Sequence, residues 1–237
     1  DKSEIQLGGF ADTFRGSTKA ATEVVPEILF GITSDWSIYF TFPFAASWTD
    51  HCYSSTGMED FCVQLEYAFY NKSTLTYVDQ ATIVTNITLP TGSVHKKPPT
   101  GFGSPSFFIG ATYYHTMQDW FLFTSPGVVL TTSEHGTKFG DQLLYQFGFG
   151  RNFPSPEGWV YAWMVEVDGQ YNKKNRIRGG IDSNSGGNLI YLTPSLWMST
   201  KELILQLGIS VPVNRNFFGH QQGFDYALTF NLTWSFY

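Results

Sequence analysis

Charge is the scarcest commodity in this chain. Only 14% of its 237 residues are Asp, Glu, Lys or Arg, against roughly 25% in an ordinary soluble domain. Ser, Thr, Asn, Gln, Gly and aromatic residues take their place, an exchange ill suited to a water-exposed surface. The net charge of −6 leaves no basic stripe for a nucleic acid. No run approaches the roughly 18 consecutive apolar residues of a transmembrane helix, and helical spacing is almost absent. Mean hydropathy of −0.13 looks soluble, but an alternating strand hides from such an average because its polar half cancels its apolar half. The opening "DKSEIQ" lacks the basic and apolar regions of a secretory leader, as in a mature, trimmed or cytosolic chain. Cysteine is nearly missing too. Cys52 and Cys62 flank a turn-rich stretch and are either a local disulfide of an oxidising compartment or two unrelated thiols.

What the chain does have is alternation. In "FDYALTFNLTWSFY" (224–237), Phe224, Tyr226, Leu228, Phe230, Leu232, Trp234 and Phe236 share one parity, opposite Asp225, Ala227, Thr229, Asn231, Thr233 and Ser235. That is a strand with one oily and one polar face. The same period predicts about twelve strands, near 3–14, 21–33, 36–48, 59–70, 74–90, 104–116, 119–132, 140–152, 158–171, 187–199, 201–214 and 223–237. Asp79 interrupts the apolar parity of the fifth. Short connections alternate with long polar ones such as "DHCYSSTGM", "TGSVHKKPPTGFG" and "NKKNRIRGGIDSNSGG". The pattern predicts one all-β domain over 1–237, a transmembrane up-and-down antiparallel β-barrel of the bacterial outer membrane with both termini periplasmic. The oily faces then meet lipid, and Trp36, Trp48, Trp120, Trp159, Tyr171 and Trp234 supply interfacial girdles. A soluble β-sandwich would carry far more Lys and Glu outside.

Several stretches, in order, resemble the outer-membrane channel family named after the meta-pathway of phenol degradation: "EDFCVQLEYAFY" (59–70), "ITLPTG" (87–92), "DWFLFTSPGVVL" (119–130), "FGDQLLYQFGFGRNF" (139–153) and "LTPSLWMSTKELILQLGISVPV" (192–213). The resemblance covers most of the chain from about residue 20. It implies a twelve-stranded barrel for uptake of hydrophobic small molecules, an N-terminal segment that occludes the lumen, and a lateral opening in the wall. Little sequence precedes the first strand here, so such a plug is expected to be missing, shortened or outside this sequence.

Function in a channel lies in its lining. Inward acids are expected at Glu23, Glu27, Asp60, Glu66, Glu166, Asp168, Glu202 and Asp225. Lys and Arg fall mostly in loops, so the lining disfavours anions. Twelve strands enclose a space between a filled and an open barrel, which inward Tyr39, Tyr70, Phe108, Tyr114, Phe121, Phe123, Tyr191 and Trp197 would either narrow or simply brace. Glu27, Tyr39, Glu66, Phe108, Tyr114, Phe121, Phe123, Glu166, Asp168, Tyr191 and Gln206 define the expected solute path for an apolar or aromatic cargo. Pro26, Pro43, Pro90, Pro126, Pro194 and Pro212 each remove a ladder donor. Pro194 and Pro212, on neighbouring strands, are the candidate lateral gate. Lys96, Lys97, Lys173, Lys174, Arg176 and Arg178 form the one basic cluster, placed outside the cell where lipopolysaccharide phosphates lie. His51, His95, His115, His135 and His220 accompany no GxSxG or HExxH. No catalytic residue, metal or cofactor is therefore expected. A monomer in outer-membrane lipid is the predicted assembly, with a general diffusion pore for small polar solutes or a lipid-acting barrel enzyme as alternatives.

Overall fold

The computed structural model describes residues 2–134 and 136–236; His135, Tyr237 and Asp1 lie outside it. Twelve antiparallel strands close into a barrel. They are β1 (Ile5–Arg15), β2 (Lys19–Gly31), β3 (Trp36–Thr41 and Phe44–Asp50), β4 (Tyr53–Met58 and Phe61–Ser73), β5 (Tyr77–Leu89), β6 (Ser106–Met117), β7 (Trp120–Thr124 and Gly127–Thr131), β8 (Gln142–Phe153), β9 (Val160–Asn172), β10 (Gly187–Ser199), β11 (Leu203–Phe217) and β12 (Tyr226–Phe236). Each pairs with its sequence neighbours, and β1 pairs with both β2 and β12, which closes the ring. Closure leaves no strand edge in hydrocarbon, the condition a spanning sheet must meet. Among the described residues no helix is long and apolar enough to cross a membrane.

The side-chain period explains the wall. On β12, Leu228, Phe230, Leu232, Trp234 and Phe236 are each at least 40% exposed, whereas Ala227 and Ser235 are buried inside. The same outward parity carries Phe30, Trp36, Leu65, Ile109, Leu143, Phe147, Leu196, Leu207 and Ile209. A water-soluble protein would bury that surface; here it forms a continuous apolar belt around a polar interior. Both termini lie at the end of the barrel with the turns 32–35, 74–76, 118–119, 154–159 and 200–202; the longer excursions lie at the other.

Prolines sit where the ladder can spare them. Pro126 separates the halves of β7 without a change of register, and its carbonyl still accepts the Ala111 amide at 3.0 Å. Pro43 marks the break in β3 and Pro90 follows β5.

Three features depart from the sequence reading. "DHCYSSTGM" is no long loop: β3 runs to Asp50 and pairs directly with Tyr53–Met58 of β4. Cys52 is therefore exposed at a hairpin tip and Cys62 lies ten positions along an extended strand, so both thiols are free. At about 3.3 Å per residue the sulfurs are far beyond the reach of a disulfide. Finally, three bulges reverse parity, one of them at Val213, which turns Asn214 outward opposite Ile190. Ala46 has no partner in either adjoining ladder, which turns Trp48 inward opposite Ala21 and Ser55. Phe69 is the extra residue of β4, which turns Tyr70 outward opposite Ala81, not into the lumen.

Candidate functional site: the lumen

Register places Glu27, Tyr39, Glu66, Phe108, Tyr114, Phe121, Phe123, Glu166, Asp168, Tyr191 and Gln206 all on the inner parity. The interior is lined by two kinds of side chain.

One kind is aromatic. Phe121 is buried against Ala162 and Met164, with Phe123 and Trp197 packed beside it. Tyr114 stacks on both Phe121 and Phe123 at centroid distances of 6.1 Å. These rings lie along the wall because glycine permits it. Phe123 covers Gly148, Phe121 covers Gly150, and Phe108 covers Gly110 and Gly127; a Cβ at any of these positions would collide with the ring. Glycine thus makes room for bulky side chains against the inner wall.

The other kind is acid and amide, and Glu166 pairs directly across from Gly148. Glu66 accepts from Ser37 at 3.0 Å and from Gln64 at 2.7 Å, and Tyr39 donates to Glu27. Glu166 accepts from Gln146 at 3.2 Å and Gln206 at 3.3 Å, while Thr193 donates to Asp168 at 3.1 Å and its hydroxyl oxygen lies 2.8 Å from that of Ser210. Asp12 faces Glu23 across β1 and β2. Its Oδ1 is buried without a hydrogen-bond partner among the described residues. Between Lys19 at one rim position and Arg215 at another, no described lysine or arginine lies on the inner parity. Two of the expected acids are not in the lumen wall. Glu202 is in the exposed β10–β11 turn, and Asp225 is a rim residue paired with Arg215 at 3.2 Å.

Two cavities adjoin inside the barrel, sharing Phe108 and Leu144. One of about 340 Å³ is lined by Gln64, Asn86, Phe102, Phe139 and Gln142 among others; the second, of about 300 Å³, by Gln146, Asp168, Gln170 and Tyr191. Residues 90–105 fold over the mouth of the first. Asp60, buried at the break in β4, accepts the Gly92 amide at 2.9 Å and the Phe102 amide at 2.7 Å. Phe102 then meets Phe139 edge-on at 5.0 Å. Gly101 is required here, since a Cβ would strike the Asp60 carboxylate. Sequence alone marked Asp60 as acidic lining; its use as a loop staple depends on a chain fold that periodicity does not report.

The wall itself has a weak place. The β10–β11 ladder pairs Leu192 with Val211 and Ser195 with Gly208, with no pairing recorded for Thr193 and Pro194 between them. Pro194 faces outward and Pro212 inward, opposite Tyr191. On the outside, a cavity of about 640 Å³ opens over this gap, floored by Ser195 and Gly208 and walled by Trp163, Leu207 and Phe230. β11 also outruns β12: its pairing with that strand ends at Ser210 opposite Ala227.

The histidines are scattered. His115 meets Asp79 at 2.5 Å on the outward parity, which accounts for the acid in that oily row. His51 meets Asp50 at 2.8 Å at a hairpin tip, His95 and His220 are in loops, and His135 lies outside the described residues. No group of three metal-ligating side chains occurs among the described residues.

No family model matches this chain, and neither does any curated protein. Solved structures do. An outer-membrane channel from Pseudomonas putida F1 aligns with a TM-score of 0.81 at 11% identity, covering 100% of this chain and 96% of that one. The NanC porin aligns at 0.54 and 10% identity, covering 97% and 98%. At such identities the likeness establishes the fold, that of an outer-membrane β-barrel.

Proposed function

We propose that this protein is an outer-membrane channel for passive uptake of small hydrophobic or aromatic molecules. The carrying observation is the mixed lumen lining: aromatic rings held flat on glycines, interleaved with hydrogen-bonded carboxylates and amides. A polar-solute pore has no use for the first, and a filled structural barrel has no use for the adjoining cavities. The motif resemblance and the channel-like fold of the Pseudomonas barrel support the same reading. The long excursions would face outside and both termini the periplasm. The acidic lining disfavours anions and accepts neutral solutes and cations.

The route out is sideways. Interrupted pairing at Thr193–Pro194 and the apolar cavity outside it offer an apolar solute a path into the bilayer that avoids the aqueous periplasm. To test this, Cys52 and Cys62 are replaced by serine and a Thr193→Cys/Ser210→Cys pair is added, since their hydroxyls already lie 2.8 Å apart. In liposomes, the reduced protein should pass an apolar fluorescent probe quickly and sugars slowly. The oxidised protein should fall toward protein-free liposomes for the probe. Fast sugar permeation would favour the general diffusion pore instead, and unaltered probe flux after oxidation would remove the lateral route.

A further inference from the structure

The six loop cations that look like one cluster in the sequence part company in the fold. Lys96 turns to the Thr56 carbonyl and Lys97 lies over the Tyr53 ring, both beside the β3–β4 hairpin. Lys173, Lys174 and Arg176 go elsewhere and are joined by a residue the sequence did not single out, Lys138. The joining device is a small four-stranded sheet built from Ser133–Glu134, Thr137–Lys138, Arg176–Ile177 and Gly180–Ile181, in which Lys138 pairs with Arg176.

These four cations line a cavity of about 340 Å³ with Asp141 as its carboxylate. Asp141 holds Lys138 at 3.2 Å and Lys173 at 3.3 Å. Burial alone would raise its carboxyl, but hydrogen bonds from Lys138, the Thr131 amide and Lys173 outweigh that and hold it below its usual range. One carboxylate cannot neutralise four cations, and each ammonium has three donors to offer. Among the described residues Arg176 has no ion-pair partner. The cavity is an oriented cationic basket with donors to spare.

Its height on the barrel suggests the occupant. Asp141 and Lys173 directly precede and follow β8 and β9, whose first outward residues from this rim, Leu143 and Tyr171, are exposed to lipid. Lys174 lies 5.2 Å over Phe218, which meets Tyr171 edge-on at 6.4 Å. Going down the outer wall, one passes from a cationic cavity to an aromatic ring to aliphatic side chains. That order matches an amphiphile with a phosphate above and acyl chains below. We propose that this cavity docks a phosphate of the lipid A anchor of lipopolysaccharide. The inference rests on the proposed orientation, with the long excursions outermost, but not on what the lumen carries.

The test uses the folded full chain in detergent and native mass spectrometry, titrated with bisphosphorylated or dephosphorylated lipid A. Wild type should retain bisphosphorylated lipid A. Lys138→Gln/Lys173→Gln/Arg176→Gln should weaken it by about 100-fold, from near-surface cations each worth several-fold. Lys96→Gln/Lys97→Gln should leave it unchanged, and inorganic phosphate should not displace it. Dephosphorylated lipid A should bind wild type about 100-fold more weakly than the bisphosphorylated form, a comparison that needs only wild type and survives if the triple variant does not fold. Equal binding of the two lipids, equal loss in the Lys96/Lys97 control, or displacement by inorganic phosphate would each overturn the proposal. Lost lipid A binding with normal probe uptake would sink this inference and leave the channel reading standing.

Discussion

Phe230→Arg is expected to cost about 2–4 kcal/mol of folding stability in a bilayer, the scale for an arginine facing lipid near the midplane. Phe230 sits in mid-strand, 40% exposed on the outer wall, opposite Leu207 on one side and Ala11 on the other. Its sequence neighbour gives the contrast. Asn231 points into the hydrated interior, opposite Gln206 and Phe10, so Asn231→Arg should leave stability nearly unchanged and shift lumen selectivity away from cations. Urea titration of the barrel refolded in lipid vesicles measures both. Similar costs at the two positions would mean that the faces do not differ in environment.

The second large effect concerns the lumen. Gly148→Leu with Gly150→Leu introduces side chains where the rings of Phe123 and Phe121 lie. Those rings must leave the wall, and the direction open to them is the passage. Overpacking of this kind costs about 1–3 kcal/mol, which a closed barrel of this size is expected to survive. Apolar-probe uptake should then fall much further than stability does. Phe121→Ala/Phe123→Ala should act differently, widening the passage and admitting more polar solutes. Unchanged probe uptake in the double leucine variant, with the barrel still running at its folded mobility in unheated gels, would remove these rings from the transport path.

Much of this architecture was legible from alternation alone, because a wall with lipid on one face and water on the other imposes a period of two on each strand. Tyr226 to Phe236 is the clearest case, and the whole inner-parity set from Glu27 to Gln206 obeys the same rule. Legibility failed where the rule has no force. Above the membrane, Tyr53–Met58 needs no oily face, so its polar sequence reads as a loop though it is a strand. Single extra residues at Ala46 and Phe69 leave no compositional mark, yet each reverses the parity of the strand beyond it, carrying Trp48 in and Tyr70 out. Cys52 and Cys62 look adjacent only if the chain between them turns, and it extends instead. The aromatic shelf was half visible: Phe121 and Phe123 stood out, but that Gly150 and Gly148 lie beneath them is a fact of register between strands. Lys138 joins Arg176 in the same way, through pairing of two distant excursions.

Nitroxide labels placed one at a time from Tyr226 to Phe236 of the reconstituted barrel give the most direct reading of which face meets lipid. Collision rates with oxygen, which concentrates in acyl chains, should peak at 228, 230, 232 and 234. Rates with a water-soluble nickel chelate should peak between them, at 227, 229, 231 and 233. A flat profile, or maxima exchanged between the two sets, would contradict an oily exterior around a wet passage.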